Sequence, residues 1–483
     1  MRFAAFVTVA VVATLGCSPP PPRGARPPGD DTVFDVVVAG GTVVDPETSL
    51  FAPRDVGIVG GTIRRVSAQP LRGRRTIDAR GRIVAPGFID LHEHAQNPRA
   101  YRVEVRDGVT SSLELEQGTG DIDRWYAERA GRTPINYGVS AGHVYARMQV
   151  MHDVEPDEPT GDAAKRPATD AEIDEIARHV ELGLQRGAVA VGVLLAYTPA
   201  ATPWEVLKMF SVAAKHHASV HIHVRNVADE LDFIETEEAI GAAAITGASV
   251  QIVHVQSTGL YDTPRLLELI ASARRHGIDV TTECYPYTTS MTSIRTAPNW
   301  RDWPDARFAK LEWPATGERL TRESFEKYFA MGGNVVIHNN TEEVVRGALA
   351  NPLTMIASDG ILSEAGIGHP RVAGTYSRVL GVYVREQHVL TLAEAIKKMT
   401  LMPAQRLERR VPGMRRKGRV QEGADADLVV FDPRLIRDHA TYRQPDLPST
   451  GISDVLVRGV SVVQNGELVA GAFPGEPVRA PIE

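Results

Sequence analysis

The sequence predicts an α/β fold, a (β/α)8 TIM-type barrel with a small β-sandwich domain built from both chain ends. Two observations lead to this prediction. Eight short apolar segments alternate with helical patterns through the middle of the chain, and short strand patterns with glycine turns occur near both ends. Alternating strands and helices are typical of parallel βα units, and eight such units can close a barrel. A doubly wound sheet is the alternative architecture.

The composition excludes several classes of protein. The 483 residues are 43% hydrophobic, which is too apolar for an intrinsically disordered chain. The net charge of −7 offers no basic footprint for a nucleic-acid partner. Two cysteines in the whole chain cannot make a disulfide-rich scaffold or a zinc module held by cysteines.

The amino terminus is predicted to be a signal peptide, residues 1–16, followed by a proline-rich tether, residues 17–33. Its apolar run is too short to span a bilayer and has the form of a secretory signal. The run ends in Thr14-Leu15-Gly16-Cys17, which resembles a bacterial lipoprotein signal, in which the cysteine is lipidated. This resemblance implies an exported, periplasmic or outer-surface protein that meets the membrane only through a lipid anchor at Cys17. The alternatives are an ordinary signal peptide cut nearby and a buried cysteine.

The β domain is predicted to combine residues 34–85 with residues 412–475. Two pairs of strand patterns lie near the amino end, and the second pair is joined by the turn signal Gly60-Gly61. Further strand patterns follow near the carboxyl end, from about residue 426 to residue 463. Strand-rich ends around a long α/β middle indicate one domain assembled from both termini.

The barrel is predicted to span residues 86–411. Its helical patterns include Asp170 to Arg186 and Trp204 to His217. A segment after the seventh strand, about residues 291–333, is rich in Trp, Arg and Pro and is predicted to be an insertion that acts as a lid or flap. The eight strands are expected near residues 87–92, 111–117, 136–142, 188–195, 219–225, 249–257, 279–287 and 353–360.

Polar side chains gather where the predicted strands end. His92 and His94 follow the first strand, His223 ends the fifth, His254 ends the sixth and Asp359 ends the eighth. Residues two apart share a face of an extended chain, so His92 and His94 can converge on one ion. Because the carboxyl ends of all barrel strands meet at one rim, the sequence predicts a metal site there.

The same residues carry a resemblance to a known family. The run Pro-Gly-Phe-Ile-Asp-Leu-His-Glu-His from Pro86 to His94, with the later strand-end His, His and Asp, resembles the amidohydrolase superfamily. Within it, the chain is similar to the N-acyl-D-amino-acid deacylases, or D-aminoacylases, from about residue 34 to residue 470. The motifs that carry this similarity are His223-Val-Arg225, Glu283-Cys-Tyr-Pro-Tyr287, Ser358-Asp-Gly360, His369-Pro-Arg371, the run from Leu380 to Glu386 and the run from Lys398 to Leu407.

The resemblance implies one or two Zn²⁺ ions per subunit. His92, His94 and Asp359 would hold one ion, and His223 and His254 would hold the second. The bridging ligand departs from the family, because the fourth strand contains no lysine and Gln117 stands where D-aminoacylases have a bridging cysteine. A carboxylate can bridge two cations in their place.

Two glutamates compete for the bridging role. Glu116 is nearer the strand end and is the predicted bridge, and Glu114, on the same face, is the runner-up. The alternative is that one of them orients a histidine ligand from behind. Burying either carboxylate without a partner would be too costly, and a cation supplies a partner.

The implied activity is zinc-dependent hydrolysis of a C–N bond other than a peptide bond, the amide of N-acyl-D-amino acids or related N-acyl compounds. A metal-activated hydroxide would attack, and Asp359 would accept its proton and pass it to the leaving nitrogen. Tyr197 or Tyr285 would stabilise the oxyanion. A dipeptidase or cyclic-amide hydrolase is the closest alternative, and a non-catalytic binding protein on the same barrel is the alternative of another class.

The sequence indicates the residues that bind the substrate less clearly than it indicates the metal ligands. An arginine binds a carboxylate through two parallel hydrogen bonds. Gln256 replaces a lysine that D-aminoacylases tend to have, which puts the preference for D-amino acids in doubt. The candidates for substrate binding are Tyr197, Arg225, Tyr285, Arg371 and Arg378, while His143 and His338 are weaker candidates to line the pocket, and His221 is either a support for the ligands or a core residue.

Overall fold

The computed structural model describes residues 33–153, 158–225, 233–296 and 300–483. The predicted signal peptide, Cys17 and nearly all of the predicted tether lie outside the described residues. Within them, every helix is too short or too polar to cross a membrane.

The described chain contains twenty-one strands and fifteen α-helices. The strands are β1 (Val33–Asp45), β2 (Leu50–Val59), β3 (Thr62–Ser67), β4 (Arg72–Asp78), β5 (Ile83–Pro86), β6 (Phe88–Asp90), β7 (Val109–Thr119), β8 (Asn136–Gly142), β9 (Val191–Leu194), β10 (Ser219–His223), β11 (Ser249–Ile252), β12 (Val280–Cys284), β13 (Ser290–Ser293), β14 (Leu311–Trp313), β15 (Glu318–Arg319), β16 (Asn334–Ile337), β17 (Thr354–Ile356), β18 (Leu428–Phe431), β19 (Ile452–Val457), β20 (Val460–Gln464) and β21 (Glu467–Leu468).

The helices begin at side-chain caps in many cases, as the capping box of Thr169 and Glu172 shows for the fifth helix. A π-helical segment, Val379–Glu386, continues the thirteenth. The helices are α1 (Pro98–Arg106), α2 (Ile122–Arg129), α3 (His143–Val150), α4 (Asp162–Lys165), α5 (Asp170–Gln185), α6 (Pro203–Lys215), α7 (Ile234–Thr246), α8 (Val255–Gly259), α9 (Thr263–Arg275), α10 (Asp305–Phe308), α11 (Arg322–Met331), α12 (Glu342–Ala350), α13 (Arg371–Arg378), α14 (Leu392–Met399) and α15 (Leu401–Leu407).

Eight parallel strands form the barrel in the order β6-β7-β8-β9-β10-β11-β12-β17. The order follows the chain without reversal, which rules out a doubly wound sheet. Backbone hydrogen bonds tie the end of the last strand to the first, since the Asp359 N–H donates to His92 O over 2.7 Å and the His94 N–H donates to Gly360 O over 3.0 Å. The predicted fold class is confirmed.

The β domain is one nine-stranded sheet to which both ends of the chain contribute. Strand β18, from the carboxyl end, pairs antiparallel with β5, and Val429 lies opposite Ala85. All nine strands are linked by hydrogen bonds, so both chain ends build one sheet domain, as the sequence predicted. A core of buried side chains from both chain ends, including Val38, Ile58 and Val430, lies on it.

The predicted insertion is a small antiparallel sheet with its own aromatic core. Strands β13, β16, β14 and β15 are neighbours in that order, so the insertion extends to Ile337, beyond the predicted end at residue 333. Trp300, Phe308, Phe325 and Tyr328 pack together beneath it. This subdomain follows the seventh barrel strand and contributes to the wall of a cavity at the carboxyl ends of the barrel strands.

Candidate metal centre

Six potential metal ligands meet at the carboxyl ends of the barrel strands. They form two groups, one of His92, His94 and Asp359 and one of Glu116, His223 and His254, and the candidate ligand atoms within each group lie within 4.8 Å of one another. All six side chains are buried or half-buried. The structure therefore brings together all the ligands that the sequence predicted.

The first group has the spacing of a tetrahedral site. His92 Nε2 lies 3.1 Å from His94 Nε2 and 3.5 Å from Asp359 Oδ1, and His94 Nε2 lies 3.4 Å from the same oxygen. Glu116 Oε2 lies 3.3 Å from both imidazole nitrogens. Four ligands around Zn²⁺ at bond lengths of ~2.0–2.1 Å stand ~3.3–3.4 Å apart, so this donor set fits the ion.

The second group uses the other oxygen of Glu116. Glu116 Oε1 lies 3.0 Å from His223 Nδ1 and 3.2 Å from His254 Nε2, and these two nitrogens are 3.2 Å apart. Three protein donors with an open position are typical of a catalytic divalent-metal site. The carboxylate of Glu116 faces one donor group with each oxygen, so the residues can hold two cations.

Two further carboxylates stand behind the first pair of histidines. Glu283 Oε1 lies 2.6 Å from His92 Nδ1, and Glu114 Oε2 lies 2.6 Å from His94 Nδ1. Each fixes the tautomer in which the proton is on Nδ1 and the lone pair of Nε2 faces the donor group. The sequence predicted no role for Glu283. Strand β12 places it on the barrel wall beside Gln251, whose amide donates to Glu283 Oε2 over 2.8 Å.

Two of the six residues adopt the left-handed backbone region. Asp359 has a φ of +51° and His254 a φ of +32°, a region that non-glycine residues occupy rarely. Such conformations persist where the surroundings hold them, and they cluster at functional sites. The hydrogen bond from the Asp359 N–H to His92 O is one of these restraints.

The charges of the centre shift the pKa values of its groups in opposite directions. Burial opposes ionisation of Glu116, but the imidazoles of His92 and His223 outweigh it and lower its pKa well below the ordinary value. For Asp359, Arg371 and His92 likewise overcome burial and lower the pKa. Burial disfavours the charged form of His92, yet Glu116 and Asp359 raise its pKa. The two acidic ligands are therefore ionised at neutral pH.

Two cavities adjoin the centre. One of about 150 Å³ is lined by His94 and Glu116, and one of about 250 Å³ is lined by His223, His254 and Asp359. Tyr197 lines both, and its hydroxyl lies 2.5 Å from Thr292 Oγ1 of the insertion. The insertion supplies the apolar wall of the larger cavity through Met291, Ile294, Trp303, Leu311, Phe325, Val335 and Ile337.

Of the predicted substrate residues, Tyr197 and Arg225 line these cavities, whereas Tyr285, Arg371 and Arg378 line neither of them. Tyr197 packs against His223 with ring centroids 5.8 Å apart. Arg225 lines the larger cavity, but its guanidinium makes a bidentate ion pair with Glu238 at 2.8 and 2.9 Å. Arg371 is fully buried, with Nη2 2.9 Å from Asp359 Oδ1 and its guanidinium over the Tyr285 ring.

Arg378 is not brought to the metal centre. Its guanidinium donates to Pro286 O over 2.8 Å and pairs with Asp438 Oδ2 at 3.3 Å, next to a separate surface groove. Through these bonds Arg378 stabilises the loop after β12. The structure therefore gives no support to its predicted contact with substrate.

The remaining candidate histidines serve other contacts. His143 pairs with Glu205 at 2.7 Å and His338 with Glu312 at 2.9 Å. His221 is fully buried beside Ser219 Oγ at 3.1 Å, within the barrel wall. His143, His338 and His221 do not line either of the two cavities among the described residues.

Comparisons with known proteins show which family the chain belongs to. Residues 83–464 match the model of the amidohydrolase family. The chain is 31% identical to an N-acyl-D-glutamate deacylase of Alcaligenes xylosoxydans xylosoxydans, over 89% of this chain and 93% of that protein. The fold is similar to the crystal structure of N-acyl-D-glutamate deacylase from Bordetella bronchiseptica, with a TM-score of 0.80 over 93% of this chain and all of that one, and the two sequences are 26% identical. That structure is complexed with zinc and a phosphonate inhibitor that mimics the tetrahedral intermediate of the reaction.

A D-aminoacylase studied for the functional role of its binuclear metal centre is also similar, with 26% identity and a TM-score of 0.76 over 93% of this chain and all of that one. The resemblance predicted from the strand-end motifs is thus confirmed by family, sequence and fold. The chain belongs to the amidohydrolase family.

Proposed function

We propose that this protein is a zinc-dependent amidohydrolase that cleaves the amide bond of N-acyl-D-amino acids or related N-acyl compounds. The observation that carries the proposal is the placement of Glu116, whose two oxygens face two separate donor groups at 3.0–3.3 Å. Glu116 is therefore the proposed bridge between two ions, and Glu114 supports His94 from behind.

The relatives support the choice of substrate and metal. Similar proteins act on N-acyl-D-glutamate, and one similar structure holds zinc together with a mimic of a tetrahedral intermediate. The donor atoms here are imidazole nitrogens and carboxylate oxygens, which suit zinc.

A bound divalent ion lowers the pKa of its water from 15.7 to ~7 and polarises the substrate carbonyl. Asp359 is ionised at neutral pH, because Arg371 and His92 hold its pKa down, so it can accept the proton of the attacking water. It then gives this proton to the leaving nitrogen. Tyr197, at the junction of both cavities, is the proposed donor to the oxyanion.

Tyr285 has a different proposed role. Burial raises the pKa of Tyr285 to about 12, so its hydroxyl stays protonated at neutral pH. The guanidinium of Arg371 lies over its ring. Tyr285 therefore holds Arg371 in place, and Arg371 stabilises the ionised form of Asp359 through the 2.9 Å contact between its Nη2 and Asp359 Oδ1.

The test is a substrate panel assayed with the purified, zinc-loaded protein. We expect turnover of N-acetyl-D-amino acids and about two zinc ions per chain by elemental analysis. The panel also contains N-acetyl-L-amino acids, dipeptides and hydantoin-like rings, and turnover restricted to cyclic amides would overturn the proposal. A protein that binds no divalent ion would favour the non-catalytic alternative.

Asp359→Asn tests the proton transfer. The change keeps the size of the side chain but removes the proton acceptor, so we expect kcat to fall by about 10²–10⁴-fold while zinc stays bound. Asp174→Asn is the matched control, because Asp174 is exposed and pairs with Lys208 on the surface, away from the metal centre. An unchanged kcat in Asp359→Asn would rule out the proposed role.

We also propose that the protein is exported and anchored by lipid at Cys17. The proposal rests on the apolar run that ends in Gly16-Cys17. Labelling of growing cells with a radioactive fatty acid should mark the wild type but not Cys17→Ser. Equal labelling of both proteins would contradict it.

A further inference from the structure

The smaller of the two cavities at the metal centre contains a carboxylate that belongs to neither ligand group. Glu158 is half-buried and lines this cavity beside Tyr197, together with the amides of Gln117 and Asn334. Burial raises the pKa of the Tyr197 hydroxyl, and the negative charge of Glu158 raises it further, so the two side chains lie close together. The proposed proton transfer uses Asp359 and does not need Glu158.

The wall of the smaller cavity is acidic. Among the described residues that line it there is no lysine or arginine. Its other carboxylate is Glu116, whose two oxygens face the two metal donor groups. Because a partly enclosed cavity has a lower dielectric constant than water, the charge of Glu158 attracts a cationic group there and repels an anionic one.

The larger cavity has a different character. Its wall includes the aromatic side chains of Trp303 and Phe325. Of its arginines, Arg225 is held in a bidentate ion pair with Glu238 at 2.8 and 2.9 Å, and Arg307 lies over the ring of Trp303 at 4.0 Å. An apolar wall suits the acyl group of a substrate, which leaves the smaller, polar cavity to the side chain of the amino acid.

The segment that follows Glu158 is tied to the barrel by a buried arginine. Arg147 on α3 is fully buried and donates from Nε to Ala163 O and from Nη2 to Arg166 O, each over 2.6 Å. The guanidinium is planar and rigid, so these two bonds fix the segment relative to α3. Glu158 is therefore placed at the cavity by a built structure.

Arg147 is itself held by an ionic cluster. Its Nη1 donates to Glu205 in the first turn of α6, and the other oxygen of Glu205 lies 2.7 Å from Nε2 of His143 at the start of α3. Burial opposes ionisation of Glu205, but His143 and Arg147 outweigh it and lower its pKa. The cluster therefore keeps its charges at neutral pH and joins the starts of two barrel helices.

We propose that Glu158 binds a cationic group of the substrate, with Arg147 as its positioning residue, so that the preferred substrates are N-acyl-D-amino acids with an ammonium or guanidinium side chain. The proposal rests on the proposed function, because it takes amide hydrolysis at the metal centre as given. It goes further by assigning the charge of the substrate and the residue that recognises it.

The test compares three substrates with the zinc-loaded, full-length protein. Nα-acetyl-D-lysine carries the ammonium group, N-acetyl-D-norleucine has the same carbon chain without it, and N-acetyl-D-glutamate carries the opposite charge. We expect kcat/KM for the lysine substrate to exceed that for norleucine by about 5-fold or more, with glutamate the slowest. A smaller advantage of lysine, or a preference for glutamate, would overturn the inference while leaving the proposed function intact. No turnover of any N-acetyl-amino acid would overturn both.

The role of Glu158 is tested by Glu158→Gln, which keeps the shape of the side chain and removes its charge. The ratio of kcat/KM between the lysine and norleucine substrates should fall to about 1, through a raised KM for the lysine substrate. Glu158→Lys should favour the glutamate substrate instead. Circular dichroism checks folding, and Glu158→Gln alone decides the question should Glu158→Lys fail to fold. A ratio that stays at the wild-type value in Glu158→Gln would contradict the proposal.

The matched control is Glu268→Gln, because Glu268 is exposed on α9 beside Arg275 and should leave the ratio unchanged. Arg147→Lys keeps a positive charge beside Glu205 but lacks the planar set of donors for both carbonyl groups. It should lower the lysine-to-norleucine ratio, which a general loss of active protein would not change. An unchanged ratio in a folded Arg147→Lys variant would contradict the positioning role of Arg147.

Discussion

At the scale of single residues, the charge of Glu116 decides how many ions the centre can hold. Glu116→Gln replaces one of the two facing oxygens by an amide nitrogen, which cannot bind a cation. We expect elemental analysis to show at most one zinc per chain and kcat to fall by about 100-fold or more, since a metal contributes several kcal/mol of transition-state stabilisation.

Glu128→Gln is the control for that change. Glu128 is exposed and pairs with Arg124 and Arg129, so its substitution should leave zinc content and kcat as in the wild type. Two zinc ions retained by Glu116→Gln would show that another residue bridges.

The sequence could predict the ligands but not their exact partners. The four histidines and Asp359 were predictable because the carboxyl ends of barrel strands converge. Glu114 and Glu116 lie two residues apart on β7 and so share a face, which left the choice of bridge open until the oxygen positions were known. The support of His92 by Glu283 joins residues 191 apart in sequence, a contact that no local pattern contains.

Arg371 and Arg378 illustrate the same limit. They lie seven residues apart on α13, so the helical period places them on nearly the same face. The rise along the helix, however, separates them by roughly 10 Å. Because of this distance, Arg371 contacts Asp359, whereas Arg378 contacts Pro286 and Asp438.

At the scale of elements, the insertion combines a small aromatic core with the wall of the larger cavity. Phe325 is fully buried in that core and also lines the cavity. Phe325→Ala should cost about 3–5 kcal/mol locally, because it leaves a void among Trp300, Trp303 and Phe308. We expect faster proteolysis within residues 290–337 and a raised KM.

The matched control is Phe51→Ala, because Phe51 is 55% exposed in the β domain. It should leave the proteolysis of the insertion and the KM unchanged. If Phe325→Ala behaves like this control, the insertion is not stabilised by its aromatic core.

Helix α14 is fastened to the start of the eighth barrel strand by a buried lysine. Lys398 Nζ donates to Thr354 O over 2.8 Å and to Asn351 O, and burial lowers its pKa from 10.5 to about 8. Between these values the unfolded chain binds a proton that the folded chain has lost, so stability rises with pH. The measured quantity is the unfolding free energy of the wild type minus that of Lys398→Met. This difference should stay level below about pH 8 and rise from pH 8 towards pH 10.5.

Urea unfolding at several pH values measures this difference. Lys397→Met is the control, because Lys397 is the exposed neighbour on the same helix and its substitution should give a flat difference. A flat curve for Lys398→Met would mean that Lys398 is charged in the folded protein at pH 9.

Element boundaries were predictable where periodicity is local. The third barrel strand, residues 136–142, has its predicted bounds, whereas the sixth ends at Ile252 because His254 turns into the left-handed region and α8 starts at Val255. The small sheet of the insertion pairs β13 with β16 across forty residues of sequence. A pairing over that separation leaves no periodic signal, so the sequence showed an insertion but not its sheet.

At the scale of the whole molecule, both chain ends contribute to the sheet that adjoins the barrel. The strand patterns at the two ends predicted this joint domain, since a strand pattern without a neighbour needs a partner elsewhere. The order of the strands in this sheet was not predictable, because the side-chain alternation of a strand does not identify the strand it pairs with. The pairing of β18 with β5 provides the link.

The chain then leaves the β domain and returns to the barrel over residues 476–483. The Val478 N–H donates to Tyr137 O over 2.7 Å, Tyr126 donates its hydroxyl proton to Val478 O over 2.7 Å, and the Ala480 N–H donates to Gly187 O over 3.0 Å. Val478 and Ala480 are each 4% exposed. These contacts lie at the amino end of β8, opposite the end that carries the metal ligands.

Deletion of residues 476–483 should therefore lower stability without removing activity. Exposing Val478 and Ala480 and leaving the Tyr126 hydroxyl unpaired should cost about 3–5 kcal/mol, and the Tm should fall by roughly 5 °C or more. Ile482→Ser, at a side chain that is 53% exposed, is the control and should change the Tm little. Assays at 25 °C should give the wild-type kcat for the shortened chain, because the barrel rim is untouched. A large loss of kcat with an unchanged Tm would show instead that this segment acts on the metal centre across the length of the barrel.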